Sequence, residues 1–144
     1  MATPSFGRIL VPFDGSDSSL RACEMAAFLA KKMGSEVRVV HVIPTLSIYT
    51  APLAEDYYRT QEKEAADVIH NGIALIQKGG VKAQAEIVRA RWSIVETIVS
   101  YSTDWKSDVI VMGARGLGGF KKLLMGSVSS GVVQHARCPV LIIR

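Results

Sequence analysis

Three glycines near the end of the sequence have the spacing of a phosphate-binding loop. Gly113 and Gly116 are separated by two residues, Gly116 and Gly126 by nine, and Ser127 follows directly. An apolar run precedes the first glycine, and a helix is predicted after the last. Free N–H groups and the helix dipole attract anions where a strand leads through glycines into a helix. Glycine also lets a ligand approach the backbone closely. The spacing therefore predicts a phosphate site.

An acidic residue ends the first predicted strand and is the second candidate for chemistry. Asp14 lies in the turn Asp14-Gly15-Ser16-Asp17. Its carboxylate could cap the helix that follows, or it could contact a ligand. If the first and fourth strands are neighbours, Asp14 and Gly113 face one crevice at the carboxyl ends of the strands, where open α/β sheets bind ligands.

Several familiar catalytic and binding motifs are absent from the sequence. There is no Gly-x4-Gly-Lys-Ser/Thr, no complete dinucleotide fingerprint and no Gly-x-Ser-x-Gly nucleophile elbow. His41, His70 and His135 are isolated from one another, and the two cysteines have no metal-binding spacing. The sequence therefore predicts neither a metal centre nor a strong general base.

Predicted strands and helices alternate along the whole chain, which indicates an α/β fold with a parallel sheet. Strands are predicted at residues 8–13, 37–43, 81–88, 108–112 and 139–143. Helices are predicted between the 14–17 turn and Gly34, at about 55–78, from a capping box at 93–96, and at 127–136. The alternating third strand is expected at a sheet edge, whereas the other four strands are nearly continuous apolar runs.

The bulk properties indicate one ordinary globular domain over residues 1–144. The net charge is +4, but the lysines and arginines are scattered, which disfavours nucleic acid as a partner. No apolar run reaches the length of a membrane span, and no leader peptide is visible. We expect a cytoplasmic protein with Cys23 and Cys138 reduced. The loop over 45–54 is long and could cover a site, and Lys121 and Lys122 are interpreted as surface residues.

The assembled motifs resemble those of the universal stress protein family, in its ATP-binding branch. The glycine pattern is complete, and the resemblance spans essentially the whole chain. It is carried by residues 9–16, 41–43, 108–113, 113–127 and 138–143. It implies a doubly wound, Rossmann-like open sheet of five parallel strands in the order 3-2-1-4-5, with four helices.

The resemblance also implies a site for ATP, with Mg²⁺ as its companion ion. The implied nucleotide-binding residues are Pro12, Asp14, Val42, Met112, Gly113, Arg115, Gly116, Gly126, Ser127 and Val128. Pro12 and Val42 would flank the adenine, and Asp14 would lie near the ribose or the metal. The three glycines and Ser127 would hold the phosphates, and the remaining residues would surround the sugar and phosphates.

The function implied is that of an ATP-binding regulatory or stress-response protein, acting as a homodimer through the last strand at Val140, Leu141 and Ile142. Such pairing would cover an exposed strand edge. Two alternatives remain open. One is a slow ATPase, for which Asp14 is the obvious general base in the sequence. The other is a protein- or nucleic-acid-binding module that does not use nucleotide.

The turn before the third helix differs from the glycine- and proline-containing turn common in the family. Here it carries Arg89, Arg91 and Trp92. These residues could form a surface for an unknown protein partner. We favour the alternative in which Trp92 packs just before the helix as a hydrophobic staple.

Overall fold

Strands and helices alternate in the described parts of the chain, as the sequence predicts. The computed structural model describes residues 5–46, 53–117 and 125–144. The strands are β1 (Arg8–Pro12), β2 (Glu36–Ile43), β3 (Ala83–Arg89), β4 (Val109–Gly113) and β5 (Val140–Ile143). The helices are α1 (Asp17–Met33), α2 (Ala54–Gln77), α3 (Ile94–Trp105) and α4 (Ser127–His135). No helix of these residues is long and apolar enough to cross a membrane.

The five described strands form one parallel sheet in the order β3-β2-β1-β4-β5. The order predicted from the resemblance is therefore confirmed. The chain winds from β1 outward to β3, then returns to the other side of β1 as β4, so that Ile9 pairs with Val109. At this reversal the connections after β1 and β4 leave on opposite sides of the sheet, and a crevice opens between them.

The central strands are buried on both faces. Ile9 and Val11 of β1 pack towards α1 and α2, whereas Leu10 between them packs with Val132 of α4. All three of these β1 residues are fully buried. Burial on both faces explains why the central strands read as continuous apolar runs, and why the exposed β3 does not.

Serine hydroxyls begin two of the helices. Ser16 Oγ accepts the Ser19 N–H at the start of α1, and Ser93 Oγ accepts the Glu96 N–H at the start of α3, as the capping box predicts. Gly34, with φ of 70°, ends α1. Helix α4 differs, because Gly126 is its N-cap and no side chain of the described residues accepts the N–H groups of its first turn.

The interpretation of Trp92 as a packed staple is wrong, because its side chain is 79% exposed. The turn that carries it is nevertheless anchored: the Ala90 N–H donates to Ile43 O, and Thr45 Oγ1 donates to Ala90 O. Arg89 is also exposed, but it is ion-paired with Glu62 at 2.7 Å and with Glu55 at 3.6 Å.

The buried face of α2 contains Ala65, Ile69 and Ile76, and Ile73 packs against the same core, whereas Ala66 is exposed. Residues 47–52 of the long loop and residues 121–122 lie outside the described residues, and so do the expectations made for them.

Candidate functional site

A cavity of about 530 Å³ opens at the carboxyl ends of β1, β2 and β4. All ten residues implied by the resemblance line it: Pro12, Asp14, Val42, Met112, Gly113, Arg115, Gly116, Gly126, Ser127 and Val128. Residues more than a hundred positions apart in the chain meet here because β1 and β4 are neighbours. The crevice expected between Asp14 and Gly113 is thus present.

One half of the cavity is apolar. Val42 and Met112 supply its floor from the ends of β2 and β4, and both are largely buried. Ile94 and Ile98, one turn apart on α3, form a wall and belong to the same apolar cluster. Such a slot suits a flat heterocycle, because apolar side chains dominate the lining of small-molecule pockets while a few polar groups fix the orientation.

The other half of the cavity borders the N-terminus of α4. Gly126 has extended backbone angles, φ −79° and ψ 172°, and presents no side chain to the first turn. Ser127 and Val128, the first residues of the helix, line the cavity. In α1 and α3 a serine hydroxyl accepts an N–H of the first turn, but in α4 none of the described side chains does so. This arrangement favours an anion at that end of the cavity.

Packing by itself disfavours a side chain at Gly113 and Gly116. A Cβ on Gly113 would lie 2.8 Å from the Ser18 carbonyl carbon and the Ser19 nitrogen, so a side chain would collide with the start of α1. A Cβ on Gly116 would lie 2.7 Å from Asp14 Oδ2. Neither glycine has a positive φ. Both glycines allow the β4–α4 connection to lie against the β1–α1 turn.

Asp14 joins these two segments. Its Oδ1 accepts the Ser16 N–H at 2.9 Å, and its Oδ2 accepts the Leu117 N–H at 3.3 Å. The N-cap of α1 is Ser16, so the alternative in which Asp14 caps that helix is wrong. The carboxylate instead bridges the β1–α1 turn and residues 113–117, which begin at the end of β4 and are called the glycine segment below. It also lines the cavity.

Hydroxyl groups hold two successive carbonyls of the glycine segment. The Ala114 carbonyl accepts from the Gly126 N–H at 2.6 Å and from Ser129 Oγ at 2.7 Å. The Arg115 carbonyl accepts from Ser18 Oγ at 2.6 Å. The segment is thereby fixed to α4 on one side and to α1 on the other.

Sequence reasoning missed eight lining residues: Phe13, Ser16, Ser19, Val40, His41, Ile94, Ile98 and Ser129. The four-residue spacing of Ile94 and Ile98 could have identified an inward helix face. The sequence gives no reason to place His41 at a site, because no second histidine lies near it. Its Nδ1 lies 2.8 Å from Phe13 O, and a carbonyl can only accept, so this nitrogen carries the proton and donates. No cluster of three metal-ligating side chains occurs among the described residues.

The sequence model of the universal stress protein family matches residues 5–144. The chain belongs to this family. A relative, the universal stress protein YxiE of Bacillus subtilis, is 32% identical over 149 aligned residues, which cover 96% of this chain and 99% of the relative.

Solved structures of family members share the fold. The universal stress protein UspA from Lactobacillus plantarum superposes with a TM-score of 0.86 at 24% identity, covering 99% of this chain and all of that one. A universal stress protein in complex with cAMP gives 0.71 at 23% identity, over 97% of this chain and 98% of its own. The Archaeoglobus fulgidus protein in complex with dAMP gives 0.72 at 23% identity, over 99% and 100%.

Proposed function

We propose that this chain binds adenine nucleotides, with ATP as the ligand, and acts as a single nucleotide-dependent regulatory domain. The observation that carries the proposal is one cavity that joins an apolar slot to a helix N-terminus without a capping side chain. A nucleotide has the same division, since its base is flat and largely apolar on its faces while its phosphates are anionic.

The residues fit each part of that ligand. The base would lie between Val42 and Ile94. The phosphates would lie at the first turn of α4, where the N–H groups of Ser127 and Val128 and the Ser127 hydroxyl border the cavity, since the Gly126 N–H already donates to Ala114 O. A magnesium ion on a nucleotide takes most of its ligands from phosphate and water and needs one or two carboxylates. Asp14 is the carboxylate lining the cavity, and each of its oxygens can still accept beyond one N–H.

The hydrogen bonds of Asp14 favour binding of ATP over its hydrolysis. Both of its oxygens accept backbone N–H groups, so the carboxylate already has a structural task. A general base must be able to take a proton from the attacking water, whereas the remaining acceptor positions of Asp14 would serve the magnesium ion. We therefore propose a nucleotide sensor, with slow hydrolysis as the alternative. The two universal stress proteins of this fold solved with cAMP and with dAMP support an adenine ligand.

Titration calorimetry with ATP, AMP, adenosine and GTP tests this proposal. We expect ATP to bind with measurable heat, AMP and adenosine to bind more weakly as anionic contacts are lost, and GTP to bind poorly in a slot with few polar groups. A second measurement is mass spectrometry of small molecules released from the purified protein by denaturation. Absence of binding by ATP and by AMP would refute the proposal.

We also propose that two copies of the chain pair through β5. This strand is an edge of the described sheet, with Val140 and Ile142 half-buried and Leu141 exposed. Arg21 Nε donates to the Arg144 carbonyl at 2.7 Å and holds α1 beside the end of β5.

Exposed apolar side chains extend that edge. Met25 and Phe28 lie one and two helical turns after Arg21 on α1, and Phe28 is 58% exposed. Val133 of α4 is exposed on the opposite face of the sheet. An apolar surface on both sides of a free strand edge fits a second copy related by a two-fold axis. Sedimentation velocity at micromolar concentration should therefore show a dimer, and a sharp monomer boundary would refute the pairing.

A further inference from the structure

We infer that Ser18 is a positioning residue for the phosphate half of the cavity. Its hydroxyl lies behind the glycine segment, on α1, and donates to the Arg115 carbonyl at 2.6 Å. Ser16 Oγ approaches the same carbonyl at a longer distance of 3.3 Å. Because Ser18 contacts the carbonyl and does not line the cavity, its effect on a ligand must pass through the backbone.

The geometry of the peptide bond explains how the Ser18 hydroxyl can act on a donor in the cavity. In a planar trans peptide the C=O of one residue and the N–H of the next point in opposite directions. When the Arg115 carbonyl is held towards α1, the Gly116 N–H is held pointing away from α1. Gly116 lines the cavity, so Ser18 sets the direction of an anion-binding donor on the cavity side.

Burial and a second hydroxyl make the arrangement rigid. Ser18 is only 6% exposed, so its hydroxyl has few alternative partners, and the start of α1 is packed against Gly113. On the other side, Ser129 donates to the Ala114 carbonyl at 2.7 Å. Two adjacent carbonyls are thus held from opposite sides, so both of their peptide planes, including the one that carries the Gly116 N–H, have little freedom to rotate. Donors that are oriented before binding hold an anion without a further ordering cost.

The test compares ligands that differ in phosphate number, because this role rests on the nucleotide binding proposed above. In Ser18→Ala we expect the affinity for ATP to fall about 5- to 10-fold, the size of one lost hydrogen bond. The affinity for AMP should fall less, and that for adenosine should not change. Unchanged adenosine binding also shows that the variant is folded. Ser129→Ala should show the same dependence on phosphate number.

Ser35→Ala is the matched control. Ser35 is also 6% exposed, and its hydroxyl also donates to a backbone carbonyl, that of Phe6, but this bond lies at the amino ends of the strands. The control should lose similar stability and keep wild-type affinity for every ligand. Equal losses for adenosine and ATP in Ser18→Ala, or no loss for ATP, would overturn the inference.

Amide hydrogen exchange separates the failure of this inference from the failure of the proposed function. If the wild-type protein bound no nucleotide, the proposed function would fall. Faster exchange of the Gly116 and Leu117 amides in ligand-free Ser18→Ala, but not in Ser35→Ala, would still support the positioning role. Unchanged exchange at these two amides would count against it.

Discussion

Replacing Gly126 by aspartate places a carboxylate at the N-terminus of α4, where we propose that the phosphates bind. The backbone there accepts a side chain, because φ is −79° and an added Cβ would lie 3.5 Å from Ala114 O and 3.6 Å from Arg115 Cα. These are ordinary van der Waals distances. Aspartate is also among the preferred N-cap residues, so the new carboxylate would accept the N–H groups that a phosphate would otherwise use.

Gly126→Asp should weaken ATP binding and at the same time stabilise the folded state. A carboxylate and a phosphate that share one helix N-terminus lie about 5 Å apart, and at an effective dielectric constant of about 20 two unit charges repel by roughly 3 kcal/mol. This corresponds to an affinity for ATP about 100-fold weaker. For folding, aspartate improves on glycine by a few tenths of a kcal/mol as a cap, and its charge adds about 0.3–1 kcal/mol through the helix dipole.

The assay measures ATP and adenosine affinity by calorimetry, and stability by thermal denaturation. Gly126→Asn is the matched control, because asparagine has the same shape and caps equally well but carries no charge. We expect Gly126→Asp to lose ATP binding, to keep adenosine binding and to melt slightly higher than wild type. Gly126→Asn should bind ATP more weakly than wild type, because its amide oxygen competes for the same N–H groups, but more tightly than Gly126→Asp, because it adds no charge. Wild-type ATP affinity in Gly126→Asp would refute the placement of phosphate at α4.

Leu141→Lys places a charge on the exposed edge of β5. If the wild-type protein sediments as the proposed dimer, we expect this variant to sediment as a monomer with unchanged circular dichroism, and persistence of the dimer would exclude β5 as the interface. Trp92→Ala should change the free energy of unfolding by less than about 0.5 kcal/mol in urea denaturation, because the side chain is exposed. If the free energy of unfolding fell by several times that amount, Trp92 would be a packed staple after all. Burial raises the pKa of the Cys23 thiol to about 12, so almost none of it is thiolate at pH 8. Ellman's reagent should therefore titrate one thiol in the native protein, that of Cys138, and both thiols in guanidinium. Two thiols reacting at equal rates before unfolding would contradict the burial of Cys23.

Local patterns were enough to predict the elements. The apolar runs of the central strands, the serine at the start of α3 and the glycine at the end of α1 each act within a few residues, and the structure confirms all three. The strand order came from the resemblance instead, because nothing local in the sequence distinguishes which strand lies beside β1.

Contacts between distant residues could not be predicted in the same way. The pattern identified Gly113, but the steric reason for a glycine there is helix α1, almost a hundred residues earlier. Ser18 carries no motif of its own, and its contact with Arg115 exists only because β1 and β4 are neighbours. The prediction for Trp92 was wrong for a related reason. A hydrophobic staple needs a partner side chain, and the sequence does not show whether the turn directs Trp92 towards one.

The two edges of the sheet differ in a way that bears on how far self-assembly can proceed. The β3 edge exposes Gln84 and Glu86 and ends at the ion-paired Arg89, whereas the β5 edge is apolar. A sheet with two permissive edges could add copies on both sides and grow into an open ribbon. Here a copy joined through β5 would present only charged β3 edges outward, so the assembly would close at two. The polar side chains of β3 would then prevent further copies from adding to the sheet.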